Sequence, residues 1–434
     1  MANRPLLRRG DLLPRVITEL PGPRCREASS RFAELEPPGI NTLYGGADNL
    51  VWQEALGSNV FDLDGNRFVD FTSGFGVTAV GHRHPRVVAA IEQQSQKLIH
   101  GLGDAMGHPG RLELAARLRR LAPWPENDRT QVYFAVSGAD AVEVALKTAL
   151  LDSRGRSGIA VFAPAYHGLS LGALAATSRP AFRDPFSAHL HHEIHRFPFG
   201  QSLEALRREL GRGGFAAILV EPVVGREGVL FPPDGWLAEL REIASQTGAL
   251  LIFDEIFTGF GRTGEIFAGP AAGVVPDLLC CGKALGGGLP IAAVLGPRHR
   301  FAAWSTPGEA LHTGTFVAHP LACAAALATL EVIEQENLVG RSRRLGAELA
   351  PRLAEWPRHY PGLLAVRGRG LLFGLEFRSR EATTSFQMAA WRAGVLLLAG
   401  GPEGRVAQLV PCLDIHENQL EAAISALELA LAAT

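Results

Sequence analysis

Lysine is nearly missing from this chain of 434 residues: Lys97, Lys147 and Lys283 are the only three, and every other fixed cation is arginine. Cysteine is sparse and unpaired in pattern. Cys25, Cys280, Cys281, Cys323 and Cys412 include no C-x-x-C spacing, which excludes a zinc ribbon and a thioredoxin-like motif and leaves no metal site to expect. Their odd number favours a reducing compartment, so a cytoplasmic protein is expected. Net charge is also lacking: a formal −2 gives no electrostatic case for nucleic acid or an anionic membrane as partner. No uncharged apolar run reaches membrane-spanning length. Met1 to Gly10 carries Arg4, Arg8 and Arg9 without an apolar stretch behind them, so no secretory signal is expected.

What is present is ordinary for an enzyme in bulk. The apolar fraction is 47% and the charged fraction 20%. The length exceeds what one core fills, so at least two domains are expected. Asn59 to Phe71 alternates around Asp64-Gly65 and predicts a hairpin. Short apolar runs at Val132–Val136, Ile159–Ala163, Ala216–Val220, Ala249–Phe253, Leu278–Cys281 and Ile291–Leu295 alternate with helical stretches. Apolar on both faces, they predict a mainly parallel sheet covered by helices. Beyond a long Ala-rich helix near Pro320 to Glu336 the rhythm changes to a smaller α+β unit. Lys97 and Lys147 lie in amphipathic stretches and read as solvated helix faces.

Lys283 is different. It stands between the apolar run ending at Cys281 and the glycines Gly286, Gly287 and Gly288, where backbone approaches a ligand closely. A lysine amine, unlike a guanidinium, loses its proton and forms a Schiff base with an aldehyde. Upstream, Leu250-Leu251-Ile252-Phe253-Asp254 is a buried strand ending in a carboxylate that can hold a pyridine nitrogen protonated. The same strand would serve a P-loop ATPase, but the glycine-lysine pair is followed by Ala284 and Asp277 replaces the first glycine, so that motif fails. Ser137-Gly138-Ala139-Asp140 opens a helix after a strand: a phosphate cradle, or an ordinary Ser cap. Tyr166 in Tyr166-His167-Gly168 follows another strand, placed to stack on a flat ring or to fill the core.

Together with Val60-Phe61-Asp62-Leu63-Asp64-Gly65, Gly81-His82-Arg83-His84-Pro85, Glu221-Pro222, Asp254 through Gly264, and Gly314-Thr315-Phe316, these motifs resemble the class III aminotransferases, fold type I pyridoxal phosphate enzymes. The resemblance runs from about Val51 to the C-terminus. It implies an α/β fold: an N-terminal arm and segment packing with the small domain (1–75), a large domain on a mainly parallel seven-stranded sheet covered by helices (76–325), and a small α+β domain (326–434). It implies pyridoxal 5'-phosphate bound through Lys283, with Asp254 on the pyridine nitrogen. Tyr166 and Ile256 would flank the ring, and Ser137, Gly138 and Ala139 would hold the phosphate, with His167 and Glu221 in support. Thr315 would reach the site of the neighbouring subunit of a homodimer. The activity implied moves an amino group from an amine, ω-amino acid or amino acid to a keto acid or aldehyde. A racemase, epimerase or aminomutase of the same fold shares these residues, and a non-catalytic binding protein could keep the fold.

The departures fall on the substrate side. Leu169 follows Tyr-His-Gly where dicarboxylate-using relatives often have arginine. Arg226 stands where many relatives have glutamate, and Gln408 where the usual carboxylate-binding arginine falls. With Phe75 and Phe257 also expected nearby, the pocket is read as unusually apolar. Arg226 is either a replacement carboxylate binder or a surface arginine.

Overall fold

The computed structural model describes residues 10–40, 49–125, 129–305 and 308–433. Its centre is a seven-stranded sheet of β1 (Gln131–Ala135), β2 (Gly158–Ala163), β3 (Ile194–Pro198), β4 (Phe215–Val220), β5 (Leu250–Asp254), β6 (Leu278–Cys281) and β7 (Ala292–Gly296). The spatial order is β1-β7-β6-β5-β4-β2-β3, and only β7 runs against its neighbours. β4 through β7 are buried along their whole length, as strands covered on both faces must be.

Helix α1 (Gly138–Asp152) lies on one face, burying Val142, Ala145 and Ala149 against Ile159, Ile252 and Val294. The opposite face is covered by the helix Trp236–Thr247, whose Leu240 and Ile243 meet Ile218, Leu251 and Phe253. Cys280 and Cys281 are buried fillers with free thiols.

The expected hairpin forms: Asn59–Asp62 pairs antiparallel with Arg67–Asp70, and Gly65 takes the positive φ of 86° that the turn requires. Val395–Leu396 adds to it in parallel, which ties this N-terminal segment to the C-terminal region. There a second sheet joins Leu363–Arg369, Leu372–Phe377, Val406–Leu409 and Leu398–Gly400, all antiparallel. Among the described residues no helix is long and apolar enough to cross a membrane.

Two readings need correction. Lys147 is not a solvated lysine: it is half-buried, and its Nζ lies 2.9 Å from His312 Nδ1, whose Nε2 lies 2.9 Å from Asp140 Oδ1. The apolar runs also missed β3, because an edge strand carrying His195 and Arg196 is only half-buried.

Candidate active site

Strand ends assemble the site. Every group singled out for cofactor chemistry on the central sheet sits at or just past a strand's carboxyl end, on one edge, where open α/β sheets bind ligands. Ser137 follows β1, Tyr166 and His167 follow β2, Glu221 follows β4, Asp254 ends β5, and Lys283 comes two residues after β6. Pairing of Asp254 with Cys280 brings the carboxylate strand beside the lysine strand.

Asp254 is buried. Its Oδ2 lies 2.8 Å from His167 Nδ1, and its Oδ1 accepts from the Ile256 amide at 3.1 Å. Burial alone draws the His167 imidazole down, but the hydrogen bond and charge of Asp254, with Glu221 behind it, leave its pKa above the ordinary value. Its Nε2 is buried without a partner among the described residues. Glu221 accepts from the Tyr166 amide through Oε1 (2.8 Å) and from the Gly225 amide through Oε2 (3.0 Å). Burial pushes Glu221 up to about 7, against the opposing charge of His167.

Lys283 has φ 41°, a left-handed conformation that a side chain adopts only where the surroundings force it. Burial lowers its amine from 10.5 to about 8; Asp254 and Glu221 oppose the shift, and Arg226 and Arg262 reinforce it. The amine sits 4.0 Å from the Phe257 ring centroid. Phe257 in turn packs where side chains on Gly76 and Gly225 would stand, since a Cβ at either would come within 2.8 and 2.1 Å of its ring.

The cradle fits a phosphorylated pyridine. Ser137 caps α1 by accepting from the Asp140 amide, leaving the first turn's N–H groups pointing outward. A Cβ on Gly138 would come within 2.9 Å of Ile256, and one on Gly282 within 3.5 Å of it, so Ile256 bridges the phosphate turn and the lysine turn. Acid, amine, aromatic, aliphatic side chain and free helix N-terminus form a donor set matched to the phosphate, ring nitrogen and aldehyde of one ligand. Among the described residues a separate group, Cys25, Asp62 and Asp64, lies within ligand distance of itself. There Asp64 accepts from the Arg24 and Cys25 amides and Asp62 from the Asp64 and Asn66 amides, so the group caps a helix and a turn.

The substrate-side residues divide. Phe75 and Leu169 are exposed, and Phe75 is held at φ 61° next to Gly76, on which Phe257 packs. Gln408 is tied to the backbone: its Nε2 donates to the oxygens of Gly225 (2.9 Å) and Arg226 (3.1 Å). The Arg226 guanidinium lies 4.3 Å over the Tyr166 ring and 5.5 Å from Phe182, a residue that sequence reasoning did not single out. The nearest signal for Phe182 is its position shortly after the Tyr166 strand end. Thr315 is exposed in the single chain.

The chain is similar to known proteins along nearly its whole length. The family model "Aminotransferase class-III" matches residues 44–431. An amine transaminase from an uncultivated Pseudomonas species, solved in its PLP-bound form, is 30% identical with a TM-score of 0.83, covering 92% of this chain and 98% of its own. The ornithine aminotransferase of Toxoplasma gondii ME49 is 28% identical (TM-score 0.84, 93% of this chain and 95% of its own). A thermostable (S)-enantioselective ω-transaminase from Thermomicrobium roseum is 27% identical (TM-score 0.85, 94% and 98%).

Proposed function

The chain belongs to the class III aminotransferases, and on that premise we propose that its donor is an amine or ω-amino acid and its acceptor a keto acid or aldehyde. It is a transaminase, and its cofactor is pyridoxal 5'-phosphate (PLP). One observation carries the assignment of roles: Lys283, its amine lowered to about 8, stands two residues past β6, the strand that pairs with the end of β5 at buried Asp254. Bound there, PLP supplies the electron sink for breaking a bond at the amine-bearing carbon.

The chain supplies the rest. Asp254, oriented by His167, holds a positive ring nitrogen. The first-turn amides at Gly138 and Ala139 hold phosphate, with Ser137. Tyr166 and Ile256 confine the ring between them. The Lys283 Nζ would hold the cofactor aldehyde and, when free, would serve as the base that moves a proton between the substrate's amine-bearing carbon and the cofactor carbon. Its lowered pKa raises the unprotonated share near neutral pH to about a tenth, against well under a hundredth for an ordinary lysine, which favours its use as a base. Glu221 fixes the Tyr166 backbone from behind.

The same reading makes the active unit a homodimer in which Thr315 serves the second subunit's phosphate, and it places the protein in the cytoplasm. Five free, buried thiols support the latter.

Mixing holoenzyme with 1-phenylethylamine alone, without an acceptor, tests the donor class. The cofactor's visible band should bleach with release of one equivalent of ketone. Retained colour with a racemised amine would replace the transaminase reading by a racemase.

A further inference from the structure

Two guanidinium groups act on Lys283, and they are in opposite states. Arg262 is fully buried and committed: its N–H groups reach the backbone oxygens of Leu371 and Pro411 and the Ser73 hydroxyl. Arg226 is half-buried and uncommitted. Among the described residues its guanidinium makes no hydrogen bond and no ion pair, and its recorded side-chain partners are the faces of Tyr166 and Phe182.

The carboxylates nearby are all in use. The buried Glu227 takes Arg179 on both oxygens at 2.9 Å. Glu221 serves the Tyr166 and Gly225 amides, and Asp254 serves His167 and Ile256. Meanwhile the Arg226 backbone is pinned: its carbonyl accepts from the Gly401 amide at 2.9 Å and from Gln408 at 3.1 Å. A fixed backbone thus presents a planar cation, with unused donors and no counter-ion, next to Gly225, which packs on the same Phe257 ring that faces the Lys283 amine. A partly desolvated cation without a partner is costly, and a carboxylate relieves that cost with two parallel hydrogen bonds.

We infer that Arg226 is the substrate's carboxylate anchor, that Gln408 is a positioning residue for it, and that the acceptor is a monocarboxylic 2-keto acid. The inference rests on the transaminase reading above. Monocarboxylic follows from the surroundings of Arg226. Of the side chains around Arg226, Phe257 and Phe182 offer a second carboxylate no hydrogen bond, and Arg179, the other guanidinium over Phe182, is already paired with both oxygens of Glu227.

Half-reactions of the holoenzyme, first converted to its amine-carrying form, test this with pyruvate, 2-oxoglutarate and benzaldehyde. In R226Q the ratio of the pyruvate to the benzaldehyde second-order rate constant should fall about thirtyfold, the loss of a charged, two-point contact, and R226K should recover part of it. Wild type should favour pyruvate over 2-oxoglutarate by about tenfold or more. An unchanged ratio in R226Q, or equal use of the two keto acids, overturns the inference. Propionate, which cannot react, gives a readout independent of turnover: it should shift the wild-type holoenzyme spectrum and bind about tenfold more weakly to R226Q. Equal propionate affinity in the two proteins sinks the anchor by itself. Failure of wild type to turn over any amine or acceptor would instead sink the transaminase reading.

Discussion

Lys283 shows how far single residues carry function here. Its chemistry is legible in sequence because lysine is so scarce and because a strand and a glycine run bracket it. Its pKa is not legible, since that comes from burial and from charges distant in the chain: Asp254, Glu221, Arg226 and Arg262. Lys147 shows the reverse. Its periodicity reads as a solvated face, yet His312, distant by 165 positions, takes its ammonium. Arg226 lies between the two. Its position marks it as a departure, but only the fold shows Tyr166 beneath its guanidinium and the acids around it already paired. The lowered pKa of Lys283 carries a sign that can be checked. Below pH 8 the amine is protonated and unreactive; above it, the free amine dominates. In cofactor-free protein, carbamylation of Lys283 by cyanate, followed by mass mapping, should rise through a midpoint near pH 8. A midpoint near the ordinary 10.5 would show that the amine is not desolvated.

At the scale of elements, the site depends on strand ends meeting glycine-rich turns. Gly168 is the sharpest case: its φ is 124°, and a Cβ there would come within 2.5 Å of Ala139 Cβ at the phosphate cradle. Gly168→Ala should therefore displace the first turn of α1 and weaken PLP binding by about tenfold or more, with little change in circular dichroism. Equal PLP affinity by equilibrium dialysis would show that the cradle tolerates the shift. The buried parallel strands were legible because runs such as Ala216–Val220 are apolar throughout. Among the elements that escaped, two show why. Edge strand β3 is half-exposed and carries charge. The helix Leu338–Ala354 buries Ser342 and Gly346 among its leucines, which blurs its apolar face. Gly346 is there because the helix approaches the turn at Gly370, whose oxygen would lie 2.3 Å from any Cβ.

For the whole molecule, the open question posed by the surface is what covers an apolar patch around Thr315. Ile99, Leu102, Met106 and Phe316 are exposed by 59, 60, 67 and 62%. They lie together: the His100 and Phe316 rings are 5.5 Å apart, and a Cβ on Gly103 would come within 2.4 Å of the Thr315 carbonyl. A patch of this kind marks an interface, and an obligate dimer buries surface on the order of 2,000 Å² or more. The proposed homodimer predicts that sedimentation velocity finds twice the chain mass. It also predicts that Phe316→Asp combined with Leu102→Glu dissociates the dimer and weakens PLP binding together, because each phosphate site loses a residue from the other chain. Thr315→Val separates the two effects: it should leave the dimer intact while lowering PLP affinity by severalfold, the loss of one hydroxyl contact. A wild-type monomer that binds PLP fully would refute the shared site. A dissociated variant with unchanged PLP affinity would keep the dimer but remove Thr315 from the second subunit's phosphate.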